Sequence, residues 1–329
     1  MARLRAGLIG LGMMGRHHAR VLRSLEGVEL VAVADPGGDH YGAADNMEVL
    51  PDVESLIAVE IDYCIVAVPT AFHDEVGLTL AAAGIHTMIE KPLAKDVAGA
   101  RKLADAFEQA GLVAAVGHIE RYNPSLQSLR TRLEAGELGE VYQIITRRQG
   151  PFPSRIADVG VVKDLATHDI DLTAWVAQQP YKSVAAQTAH KSGREYEDLV
   201  AVTGLLADGT VTSHLVNWLS PMKERVTVVT GDRGTFVADT LNADLTFHAN
   251  GIVPTEWDDI ARFRGVTEGD MIRYAIPKPE PLRTEHEAFR DAVLGKETDI
   301  VTMHQGLATV AVAEAVIESA RRGRSVDLS

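Results

Sequence analysis

The run GLIGLGMMGRHHA, residues 7–19, decides how the rest of the chain is read. Within it Gly10, Gly12 and Gly15 stand between an apolar run, Leu4–Leu11, and a stretch of helical character, Arg16–Leu25. In that setting Gly10 makes a tight turn, Gly12 lets the backbone approach a pyrophosphate, and Gly15 permits close helix–strand packing. The phosphates then rest on the N-terminus of a helix that begins around Met13 and Met14, where backbone N–H groups and the helix dipole favour an anion. Glycines that serve only as turns are the competing reading. Against it stands Asp35, which closes the next apolar run, Glu29–Ala34, and is followed by Pro36, Gly37 and Gly38. Its carboxylate suits the adenine ribose hydroxyls and repels a 2′-phosphate, and no basic neighbour offsets that repulsion, so NAD is expected over NADP.

Working outward, the alternation continues. A short helix is expected near Val53–Ala58, then the strand Asp62–Val68, the helix Ala71–Ala83, the strand His86–Glu90, the helix Val97–Gln109 and the strand Leu112–Gly117. Strand, helix, strand with near-continuous apolar strands is the pattern of a parallel sheet covered on both faces. After Gly117 the character changes. Pro124 starts a helix over Ser125–Ala135. Longer strand-like runs then follow at Tyr142–Arg148, Val184–His190, Leu199–Leu206, Thr210–Trp218, Glu224–Thr230 and Gly234–Ala238, several joined by tight turns that suit antiparallel pairing. A helix from Lys163 to Val176 is embedded among them, and two more, Leu282–Leu294 and Gln305–Arg322, close the chain. With 329 residues the chain exceeds the size at which one core keeps growing. The expectation is an α/β protein: a dinucleotide-binding Rossmann domain over residues 1–123, then an α+β domain over 124–329 built on a large open antiparallel sheet. The segment Gly251–Gly269 stays open between a substrate-side loop and a connection.

A net charge of −14 with scattered Lys and Arg excludes a nucleic-acid backbone as partner, because neutralising phosphates needs a local positive surface. Arg147, Arg148 and Arg155 are the local exception and could hold a small anion. The single cysteine, Cys64, lies inside an apolar run, which leaves no intrachain disulfide and no cysteine metal cluster. The N-terminal basic and apolar residues lead straight into the glycine motif and His17, His18 and Arg20, unlike a signal peptide. No apolar run reaches the roughly 20 residues of a membrane span. A cytoplasmic protein with no membrane partner is expected.

Two further places carry chemistry. Glu90-Lys91-Pro92 follows a Rossmann strand at its carboxyl end, where ligands of open α/β sheets bind. There a lysine can hydrogen-bond a reacting hydroxyl and stabilise charge on its oxygen; the residues alone leave Lys91 open between that role and a solvated one. In Lys163–Leu172, Asp164 and His168 are spaced to share one helical face. An imidazole there can take a hydroxyl proton while the carboxylate fixes its tautomer; an ordinary surface pair is the alternative. Asp169 and Asp171 face elsewhere and suit structural pairing. Despite 12 histidines, no third ligand stands near His168, and no metal is expected.

Taken together, GLIGLGMMGRHHA, VAVADP, CIVAVPTAFHDE, EKPLA, GHIERYNP and DLATHDIDL resemble, in their order, the glucose-fructose oxidoreductase and inositol dehydrogenase family. The resemblance covers essentially the whole chain. It implies an NAD-dependent dehydrogenase acting on a sugar hydroxyl, commonly a dimer or tetramer associated through the C-terminal sheet. It implies that Lys91 contacts substrate and cofactor, that His168 is the acid/base, and that Asp164 supports it. Val68, Pro69, Thr70 and His73 are implied around the cofactor, with Glu90 and Arg121 as further contacts. Arg148, Gln149, Gly150 and Pro151, Arg155, and the run Asp158–Leu165 resemble the branch that oxidises the 3-hydroxyl of nucleotide-linked N-acetylamino sugars. Arginines suit its diphosphate; Tyr122 and Asn123 are placed for the sugar ring, and Lys163 completes the substrate set. An aminoglycoside, free-sugar or inositol dehydrogenase, and a non-catalytic NAD- or sugar-sensing regulator, are the alternatives.

Overall fold

The computed structural model describes residues 3–153, 159–251 and 267–328. Its first part runs β1 (Leu4–Ile9), α1 (Met13–Ser24), β2 (Val28–Ala34), β3 (Val49–Leu50), α2 (Val53–Ile57), β4 (Tyr63–Val66), α3 (His73–Ala82), β5 (His86–Glu90), α4 (Val97–Gln109) and β6 (Ala114–Gly117). These strands form one all-parallel sheet in the order β3-β2-β1-β4-β5-β6. The order reverses at β1, so the crevice between the carboxyl ends of β1 and β4 is the switch point where such sheets bind ligands. Burial explains the apolar strands: Leu8, Val33, Ile65 and Met88 are all buried, with Ala19 and Leu22 of α1 packed into the same cluster. Asp52 and Asp96 cap α2 and α4 by accepting from the backbone N–H of Ser55 and Gly99. Cys64 is buried, and burial pushes its thiol well above the ordinary range, which leaves it chemically quiet.

The second part contains α5 (Pro124–Glu134), β7 (Val141–Pro151), α6 (Thr167–Ala177), β8 (Tyr181–Ala189), β9 (Leu199–Leu206), β10 (Val211–Asn217), β11 (Leu219–Gly231), β12 (Gly234–Asp239), β13 (Asp244–Gly251) and β14 (Thr267–Arg273). With a final strand they make a nine-stranded sheet in the order β14-β13-β12-β11-β7-β10-β9-β8-β15. All its pairs are antiparallel except β7 with β10, which the expected antiparallel sheet did not include. Leu126 and Leu129 of α5, and Leu172, Trp175 and Val176 of α6, cover one face and form a core with Ile144, Val229 and Phe236. On β10 the period of two is plain. Thr212, His214 and Val216 are buried, whereas Val211 and Leu215 on the opposite face are 46% and 39% exposed. Strands β13 and β14 lie outside the sequence reading, and residues 252–266, which make up most of the open segment Gly251–Gly269, are outside the described residues.

The chain then returns to its first part. Helix α7 (Pro281–Val293) buries Leu282 and Phe289, and Phe289 meets the Tyr63 ring edge-on at 5.5 Å. Val301 accepts a hydrogen bond from the Val116 backbone at 2.9 Å. Helix α8 (Met303–Arg322) follows, and β15 (Val326–Asp327) pairs with β8. Two compact units result: one of Met1–Ile119 with Glu280–Glu314, the other of Glu120–Pro279 with Ala315–Ser329. Residues 280–314 of the expected 124–329 domain thus fall in the first unit. The return of Glu280–Glu314 has a physical cause, since the apolar stripe of α7 finds its partner surface on the parallel sheet. No helix among the described residues is long and apolar enough to cross a membrane.

Candidate active site

In the first unit Gly10 and Gly15 form the tight turn and the close packing that their spacing implies. Gly10 has φ +94°, the left-handed region, and a side chain there would strike the backbone of Ala67 and Val68. A side chain at Gly15 would strike the Gly10 carbonyl, so α1 lies directly against the turn. Gly12, the N-cap of α1, faces open space and has no capping side chain, which leaves the first amides of α1 without a side-chain partner. Met13 is exposed and Met14 half-buried at that same helix start. The Asp35 carboxylate accepts from the N–H of Leu11 at 2.7 Å and of Gly37 at 2.8 Å, which fixes it beside the turn. An open glycine cradle, a helix start and a fixed carboxylate fit a dinucleotide.

The segment Val68-Pro69-Thr70 leads from β4 into α3, and His73 sits in the first turn of that helix. His73 is buried, with Nδ1 2.9 Å from the Pro92 carbonyl and Nε2 3.0 Å from the Val68 carbonyl. Burial pulls its pKa below the usual range, against those two carbonyls. A neutral ring has one N–H, so it donates to one of these two carbonyls and packs between the two turns. Glu90 is turned inward as well. Its Oε1 meets His18 Nε2 at 3.0 Å and its Oε2 accepts from the Lys91 N–H at 3.0 Å, so both oxygens are engaged in the interior. Lys91 itself is half-buried at the end of β5.

In the second unit Asp164 and His168 lie where β7 has given way to the helical segment. The expected single α-helix instead starts as a π-turn over Val162–Ala166, with the Thr167 N–H reaching back to the Val162 carbonyl, and continues as α6. Such wide turns occur often at functional sites because they re-aim side chains. Asp164 is buried in the π-turn, His168 is half-buried at the start of α6, and Lys163 is half-buried beside them. The turn is capped from a distant loop: the Glu197 carbonyl accepts from Val161 N–H and its Oε1 from Val162 N–H, both at 3.0 Å.

Among the described residues, Arg147 and Arg148 do not converge. Consecutive residues of a strand point to opposite faces. Arg147 is exposed and pairs with Glu224 at 2.6 Å. Arg148 is buried between Glu120 and Asp169, each 2.8 Å away, and cannot grip a substrate phosphate. Burial opposes the ionised Glu120 carboxyl, yet Arg148 and Arg225 hold it below the usual range. Arg155 lies outside the described residues. Arg121, expected at the cofactor, forks onto Asp171 through Nε at 2.8 Å and Nη2 at 2.6 Å, buried in the second unit. Asn123 is spent as the N-cap of α5, accepting from Ser125 and donating to the Thr240 carbonyl at 2.9 Å. Tyr122 is buried beside it. The expected structural pairing of Asp169 and Asp171 is what the structure contains. Sequence reasoning missed Arg225, Glu120, Glu197, His18 and His286, whose partners are all distant in the chain. Among the described residues no group of three or more His, Cys, Asp or Glu is arranged to hold a metal ion.

A parallel sheet with a glycine cradle at its switch point, followed by a second α/β unit carrying Asp164 and His168, defines a two-part protein with a dinucleotide-type cradle. The chain belongs to the glucose-fructose oxidoreductase and inositol dehydrogenase family: residues 4–118 match its NAD-binding Rossmann fold and residues 130–328 its C-terminal alpha/beta domain. Among curated relatives it is 35% identical over 176 residues to UDP-N-acetylglucosamine 3-dehydrogenase of Acidithiobacillus ferrooxidans, a match to 53% of this chain and 54% of that enzyme. It is 27% identical to inositol 2-dehydrogenase 2 of Saccharopolyspora erythraea across 96% of this chain and 93% of that one. The chain thus spans about half the length of the first relative and most of the second. The solved structure of UDP-N-acetylglucosamine 3-dehydrogenase GnnA from A. ferrooxidans superposes with a TM-score of 0.84 at 26% identity, covering 98% of this chain and 99% of that one. GenD2 from gentamicin A biosynthesis, in complex with NAD, gives 0.82 at 25%, covering 100% and 97%.

Proposed function

We propose that the protein is an NAD-dependent dehydrogenase that oxidises a ring hydroxyl, at C3, of a nucleotide-linked N-acetylamino sugar to the keto sugar. The observation that carries this reading is the near full-length structural likeness to UDP-N-acetylglucosamine 3-dehydrogenase, at 26% identity, in a chain that carries Lys91, Asp164 and His168. Bound NAD supplies the hydride acceptor. Gly10, Gly12 and the start of α1 at Met13 and Met14 would hold its pyrophosphate and Asp35 its ribose, with Val68, Pro69 and Thr70 bordering it. His168 in its neutral form removes the hydroxyl proton as the carbon-bound hydride departs. Asp164 orients the imidazole, and the Lys91 ammonium stabilises the negative charge that grows on the oxygen. Lys163 and Tyr122 serve the sugar.

A second reading, a cyclitol or free-sugar dehydrogenase, is favoured by one specific observation: Arg148, half of the expected diphosphate grip, is committed to Glu120 and Asp169. The exposed apolar residues Val211 and Leu215 on the uncovered side of β10 support association of copies through the sheet. Turnover of UDP-N-acetylglucosamine and of myo-inositol, followed by NADH absorbance and by mass spectrometry of the product, separates the two substrate readings. His168→Ala should lower kcat by about 10²- to 10⁴-fold with little change in NAD affinity. Parent-level turnover in that variant removes His168 from the mechanism, and tight NAD binding without turnover of any hydroxyl compound points to a sensing role instead.

A further inference from the structure

The first unit contains a buried polar chain that the dehydrogenase reading leaves unused. His18, on the buried side of α1, places Nε2 3.0 Å from Glu90 Oε1 and Nδ1 2.8 Å from Nε2 of His286 on α7. Glu90 Oε2 accepts the backbone N–H of Lys91 at 3.0 Å. His18, His286 and Glu90 are 0%, 1% and 8% exposed, and Gly117 on the neighbouring strand packs against the Glu90 carboxyl, where a side chain would crowd it. Burial, and then the His18 charge, holds the His286 ring far below its ordinary pKa, so it is neutral. Burial works against the ionised Glu90 carboxyl, but the His18 hydrogen bond and the charges of His18 and Lys91 hold it below the usual range. An ionised carboxylate fixes the proton bookkeeping: His18 Nε2–H donates to Glu90, and the remaining His18 nitrogen is satisfied by His286.

Three polar groups in an apolar interior cost desolvation that well-packed hydrophobic side chains would avoid. What they provide is direction. We infer that His18 and His286 are positioning residues for Lys91: the His286–His18–Glu90 chain locks the Glu90 carboxylate, which pins the backbone of the lysine to the helix that opens the dinucleotide cradle. The inference rests on the dehydrogenase reading for its catalytic consequence, but not for its structural one.

Hydrogen exchange resolved at the Lys91 amide in the apo protein tests the chain without substrate. His18→Leu should speed that exchange about tenfold or more, as expected for loss of a charge-assisted hydrogen bond, while His18→Gln, whose amide can still donate to Glu90, restores the parent rate. With NAD and whichever of UDP-N-acetylglucosamine or myo-inositol the parent oxidises, His18→Leu should lower kcat about tenfold and leave the KM for NAD within about twofold, with kcat recovered in His18→Gln. Parent-like exchange at Lys91 in folded His18→Leu overturns the inference. So does a loss of kcat that follows the melting temperature and is not recovered by glutamine. Should His18→Leu fail to fold, His286→Leu and Glu90→Ala break the same chain at its other links and are judged by the same two readouts. If the parent oxidises neither sugar, the substrate reading fails while the exchange result still decides the chain.

Discussion

Each unit buries a glutamate, and the two are held by different chemistry. Glu90 in the first is held by imidazoles, His18 and then His286. Glu120 in the second is held by guanidinium groups, Arg148 and at longer range Arg225, with Asp169 on the other side of Arg148. A guanidinium stays charged at any pH a protein survives, whereas an imidazole changes charge near neutrality. The second network is therefore a permanent brace under the start of α6, next in sequence to His168. The first ends on the His286 ring, which burial keeps uncharged.

The sharpest way to break the comparison is Arg148→Ala, which leaves Glu120 and Asp169 facing each other in the interior. A loss of about 3–5 kcal/mol is expected in denaturant unfolding; a loss under about 1 kcal/mol would mean that Arg225 alone satisfies both carboxylates. The next test is acid. His214, buried between Thr146 and Tyr181 at 2.8 Å each, is pushed down by burial to about 4 from an ordinary 6.5. The unfolded chain then binds the extra proton first, so stability is whole above about pH 6.5 and falls by roughly 3 kcal/mol as pH drops to about 4. His286 adds a loss of the same sign. Denaturant midpoints across that window check the direction, and His214→Gln should flatten the slope; an unchanged slope refutes the assignment. The smallest effect is expected from Arg147→Ala. Its pair with Glu224 is half in solvent, and a change of no more than about 1 kcal/mol, screened by salt, should follow. Neighbours on one strand, Arg147 and Arg148 thus bracket the range that a single residue type covers.

Much of the fold is legible in local pattern. Strand β5 and helix α4 begin and end where apolar runs and the Asp96 cap place them, as does β9. The glycine turn and Asp35 are legible because three or four residues and one turn contain all the physics. The β13 and β14 strands are not, since their alternation is weak and their pairing is supplied by neighbours. The π-turn at Val162–Ala166 is invisible to a spacing of four, because the Glu197 cap that steadies it comes from another loop.

By itself the sequence determined the chemistry within reach of a single element: the parallel alternation, the cradle of Gly10, Gly12 and Gly15, the Asp35 carboxylate beside it, and the placing of Lys91 at a strand end. Only the tertiary structure decided which polar residues are available. Arg121, Arg148, Asn123 and Glu90 carry the right groups for ligands, yet each is consumed by a partner that folding brings to it. His18 and His286 meet across 268 positions. A side chain's type is local, but its burial and its partners are properties of the packed chain, and it is burial that turns a binding group into a brace.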